Sequence, residues 1–98
     1  MRPFILAAVL AVLAGGSALG ASDDAWEAFR KDVESACLAA AEPLFENPAA
    51  RVDPFGSESY GLALVTGKAR GADVEIAAIC VFDKQSKAVE IGGELPAD

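Results

Sequence analysis

Three hydrophobic patterns succeed one another along the 98 residues of this chain. The first is an uncharged apolar run from Phe4 to Leu13, behind Met1-Arg2 and ahead of AGGSALG. It is shorter than the roughly 20 apolar residues a membrane span needs. With small residues at Ala18 and Gly20, it predicts a secretory signal peptide over 1–20, cleaved after Gly20. The absence of Cys at the junction and of an Arg-Arg pair points to the general export route, and so to a periplasmic or extracellular address. The remainder, 21–98, has the size of one domain.

The second pattern is helical. Trp26, Phe29, Val33, Cys37, Ala40 and Leu44 recur three or four residues apart, which places them on one stripe of an α-helix. Asp24 is the expected N-cap, with Glu27 completing a variant of the capping box. Pro43 sets the end near Ala41 or Glu42. The pairs Glu27/Lys31 and Arg30/Glu34 lie four apart on the solvated side, where each contributes a few tenths of a kcal/mol.

Residues 43–58 (PLFENPAARVDPFGSE) hold three of the five prolines and no period, which predicts a long loop with a short extended piece at Ala50–Asp53. Leu44, Phe45, Val52 and Phe55 argue that it packs rather than remaining disordered.

From Ser59 the period becomes two. Tyr60, Leu62 and Leu64 alternate with Gly61, Ala63 and Val65; TGKARG reads as a turn; Asp73–Phe82 is a second strand; DKQSK turns again into a short strand at Ala88–Ile91. Gly92-Gly93 ends it and leaves a mobile tail at 94–98. The short connections favour an antiparallel meander of three or four strands with the second in the middle. The fold class is therefore α+β, one amphipathic helix packed on that meander. In architecture alone this is similar to the core of cystatin-like folds without their first strand, a likeness that carries no motif and no activity.

Cys37 lies in the helical stripe, and Cys80 shares a strand face with Val74, Ile76, Ala78 and Phe82. A helix across that face brings the two together, which predicts a disulfide between helix and central strand. The 43-position separation implies about 4 kcal/mol of chain-entropy stabilisation, useful in a domain whose core alone is marginal.

Charge and composition narrow the function. Beyond the leader there are seven basic and fifteen acidic side chains, and no basic stripe. Nucleic acid and anionic membrane surfaces are poor partners for such a surface. There is no histidine, and bridged cysteines leave no thiolate, so the usual general base, metal ligand and activated nucleophiles are missing. No motif indicates a metal or a cofactor. Asp53 and Glu58, flanking a Gly-Ser turn, are the best candidates for a carboxylate-based hydrolase, which ranks last among the readings.

The main functional signal is surplus apolar surface. Opposite the Cys80 side of the second strand lie Ala77, Ile79 and Val81, with Ala63 and Val65 expected beside them. A strand apolar on both faces is covered on both, and one helix covers one face. The economical expectation is that the 43–58 loop folds over the other with Phe45 and Phe55. The alternative is that Ala77, Ile79, Val81, Phe55 and Tyr60 receive a partner. That partner is another exported protein, a second copy, or an apolar ligand held as by a carrier. A non-catalytic binding or accessory role, acting through the apolar sheet face and the Asp53–Tyr60 loop, is the leading expectation.

Overall fold

The computed structural model describes residues 22–97; the predicted leader and its cleavage site lie outside them. Helix α1 spans Asp23–Ala41. Its N-cap is Ser22 rather than Asp24: the Ser22 hydroxyl accepts from the Ala25 N–H at 3.1 Å, and Asp23 and Asp24 occupy the first turn, where the helix dipole favours acids. Val33, Cys37 and Ala41 form the buried line, with Ala41 in the place expected for Ala40. The helix ends at Ala41 as expected, but Glu42, its C-cap, keeps helical backbone angles (φ −47°, ψ −47°) although Pro43 follows. Arg70 then takes over the orphaned carbonyls of the junction, donating through Nε to Glu42 O and through Nη2 to Phe45 O at 3.1 and 2.7 Å. On the solvated side Arg30 reaches the Pro54 carbonyl, and the described ion pairs are Lys68–Glu46, Arg70–Glu42 and Lys87–Asp32 instead of the expected helical pairs.

Strands β1 (Phe45–Val52), β2 (Tyr60–Ala69), β3 (Glu75–Asp83) and β4 (Val89–Ile91) form an antiparallel sheet in that order. A two-residue strand β5 (Leu95–Pro96) pairs with β3 at Ile76 and Ala77, beyond β4 on the same side. Three expectations change here. The 43–58 segment is mainly an edge strand, not a loop; its period is hidden by a bulge at Asn47-Pro48, where the register with β2 shifts and Asn47 adopts φ 52°. TGKARG is not all turn, because β2 continues to Ala69 and the turn follows. The tail at 94–98 is tied down at Leu95 and Pro96.

The helix packs across one face of the sheet. Its core is Val33, Cys37, Ala41, Phe45, Ala63, Val65, Ala69, Ile76, Ala78, Cys80 and Phe82, with Val89 and Ile91 packed against it. The Cys37–Cys80 disulfide is formed, with Cα atoms 5.9 Å apart and both residues fully buried. Where side chains crowd this face most closely, the sheet presents glycine. A Cβ at Gly61 would lie 2.6 Å from a Val33 methyl and 3.1 Å from the Phe29 ring. Gly67 likewise makes room for the Phe45 ring.

The β3–β4 turn is held by a carboxylate. Asp83 Oδ1 accepts from the Gln85 and Ser86 N–H groups at 2.8 and 2.9 Å. The Ser86 and then the Gln85 amide hold its carboxyl below the ordinary 3.8. A depressed carboxylate pKa stabilises the fold above the ordinary value, and that contribution is lost as pH falls through the folded-state pKa. Acid titration followed by NMR should therefore give an Asp83 midpoint below 3.8, with the Gln85 and Ser86 amide shifts moving in step. A midpoint at or above that value contradicts the turn geometry.

Candidate functional site

The face of the sheet away from the helix is assembled from alternate residues of each strand, and the register fixes which share it. Across β2 and β3 the outward rows are Tyr60 beside Asp83, Leu62 beside Val81, Leu64 beside Ile79, Thr66 beside Ala77, and Lys68 beside Glu75. Arg51 of β1 joins the Leu64 row, Glu90 of β4 the Val81 row, and Leu95 of β5 the Ala77 row.

This corrects one expectation. Ala63 and Val65 are not beside Ile79; they pair with Cys80 and Ala78 under the helix. Leu62 and Leu64 occupy the outer face instead, because they share the parity of Tyr60, while Gly61, Ala63 and Val65 face the helix. The signal was present in the shared parity of Tyr60, Leu62 and Leu64.

Nor does the 43–58 segment cover this face. Phe45 is fully buried on the helix side, and Phe55 packs edge-on to Trp26 with ring centroids 4.9 Å apart. The result is that Ile79, in the middle of an interior strand, is 53% exposed. Leu62, Leu64 and Val81 around it are half-buried, and Tyr60 and Leu95 are exposed at opposite ends. A groove of about 430 Å³ runs along the β1 side of this surface, lined by Arg51, Pro54, Leu62, Leu64 and Ile79 among others.

Of the residues singled out in the sequence, Tyr60, Ala77, Ile79 and Val81 thus fall on one face. Ala77 is itself buried between Thr66 and Leu95, so it serves as floor rather than contact. Phe55 lies apart, on the helix side.

The 53–60 loop that joins the two sides is braced internally. Asp53 Oδ1 accepts from the N–H groups of Phe55 and Gly56. Gly56 sits at φ 72°, and a Cβ there would collide with the Tyr60 carbonyl. Ser57 and Tyr60 exchange backbone and hydroxyl hydrogen bonds. Lys84 clamps the loop to the helix: its Nζ donates to Phe55 O and Ser57 O at 2.9 and 2.7 Å, and lies 5.4 and 5.2 Å from the Trp26 and Phe29 ring centroids.

The loop's chemistry is accordingly that of a turn. One oxygen of Asp53 is committed to backbone amides, and Glu58 is exposed. Among the described residues no three His, Cys, Asp or Glu side chains group as metal ligands would, and no helix is long and apolar enough to cross a membrane. No family model matches this chain, and no curated protein or solved structure is significantly similar to it.

Proposed function

We propose that this chain is an exported, non-catalytic binding or accessory module that engages its partner through the outer sheet face, flanked by the 53–60 loop. The observation that carries the reading is the half-exposed Ile79 at the centre of the sheet, ringed by Leu62, Leu64 and Val81. Contiguous apolar surface of this kind on a small domain marks a site of interaction. Export is supported by the Phe4–Leu13 run and by the closed Cys37–Cys80 pair, since disulfides persist in oxidising compartments. A small apolar-ligand carrier is the second reading. It is favoured by the groove beside Ile79, whose volume falls within the usual range for small-molecule sites.

Ile79→Asp separates a working face from a buried one. At a solvent-facing position the new carboxylate stays hydrated, so the unfolding free energy should change by about 0.5 kcal/mol or less beyond the lost strand propensity. Capture of proteins and small molecules from the native exported fraction, read by mass spectrometry beside the parent chain, should lose its specific component. Severe destabilisation, or capture identical to the parent's, contradicts the proposal.

A further inference from the structure

The occupant the face fits is a second copy of this chain: we infer a face-to-face pair about a two-fold axis that lies in the interface and runs along the strands, between β2 and β3. The inference rests on the reading of the outer face as a binding surface. Such an axis exchanges left and right but preserves height, so β2 of one copy lies over β3 of the other, row for row. Row by row, the register then stacks Leu64 on Ile79 and Leu62 on Val81, and sets Thr66 against the small Ala77. At one end Lys68 faces Glu75 of the second copy; at the other the Tyr60 hydroxyl faces the Asp83 carboxylate. Each contact occurs twice, as an isologous interface requires.

Charge selects this orientation. The alternative two-fold, running across the strands, reverses height and lays β3 on β3, which brings Glu75 over Asp83 twice. Like charges so placed are unfavourable. In the chosen pair Asp53, in the Leu62 row, lies over Glu90 of the second copy, with one oxygen held by loop amides and with Arg51 one row away. The two Lys68–Glu75 contacts outweigh this like-charge pair; the alternative has no opposite-charge contact to set against its own. The geometry is that of aligned sheet packing, about 10 Å between sheets with a rotation of about 30°. Four strands at about 4.8 Å and five outward rows give a platform of roughly 500 Å² per copy, near the lower limit for a specific interface. The pair is therefore reversible and separates on dilution.

Sedimentation velocity across a dilution series tests it. The parent chain should shift from pair to monomer on dilution, and Ile79→Asp should be monomeric throughout. Glu75→Lys and Lys68→Glu should each be monomeric alone, because each sets like charges opposite one another, and an equimolar mixture of the two should pair again. Lys68 also faces Glu46 within its own copy at 3.5 Å. If Lys68→Glu melts early, loss of pairing in Glu75→Lys and its recovery in the double exchange make the same comparison. A parent chain monomeric at every concentration, or variants that pair like the parent, overturns the second-copy assignment. Binding of the apolar dye ANS then separates the two proposals. A monomer that binds it in an Ile79-dependent way loses only the second copy, whereas binding unchanged in Ile79→Asp removes the face reading as well.

Discussion

Reduction of the Cys37–Cys80 disulfide should lower the unfolding free energy by about 4 kcal/mol, the chain-entropy value for a 43-residue separation. The bond is fully buried and joins the helix to an interior strand, so it closes in the unfolded chain a long loop that the core must otherwise hold unaided. Small domains have a total stability of about 5–15 kcal/mol, and this domain is short. The double variant Cys37→Ala/Cys80→Ala should therefore melt far below the parent, or fail to fold at ambient temperature. Urea unfolding of oxidised and reduced protein measures the difference. A loss below about 1 kcal/mol would show that the helix is held chiefly by its apolar stripe.

Phe45→Ala should cost about 3–5 kcal/mol. Phe45 is fully buried at the start of β1, seated over Gly67, and has the largest side chain among the fully buried residues. Its removal leaves a hole lined by an edge strand and a glycine, which cannot refill it from nearby side chains. An exposed loop position, by contrast, changes stability by about 0.5 kcal/mol or less. Chemical unfolding of Phe45→Ala beside Phe55→Ala makes the contrast, because Phe55 is more than half exposed.

The residues that announce themselves in the sequence are those whose environment follows a single period. The helix is legible because Val33 and Cys37 stay on the buried stripe, and the disulfide because two independent periods bring Cys37 and Cys80 to one layer. Strand β1 is hidden because Asn47 and Pro48 occupy a bulge, which displaces the alternation by the residues that would have revealed it. The two residues of β5 are too few to show a period. The composition of the outer face is legible only in part. Ile79 and Val81 read correctly from β3, but the expectation of Ala63 and Val65 beside them fails, because the register puts Leu62 and Leu64 there. The face α1 chooses is fixed by contacts such as Gly61 against Val33 and Phe29, and a contact between distant segments leaves no local trace.

The interrupted edges of the sheet set the limits of any assembly it enters. Pro48 has no N–H to offer an incoming strand, and the bulge at Asn47 turns the backbone out of line on the β1 side. On the other side β4 and β5 present three and two residues, separated by Gly92, Gly93 and Glu94. Among the described residues the straight stretch at each border is short, residues 49–52 on the β1 side and two or three residues on the other, which limits strand-by-strand growth into a fibre. Contact through the flat side consumes its own binding surface, and an aggregate built that way stops at two.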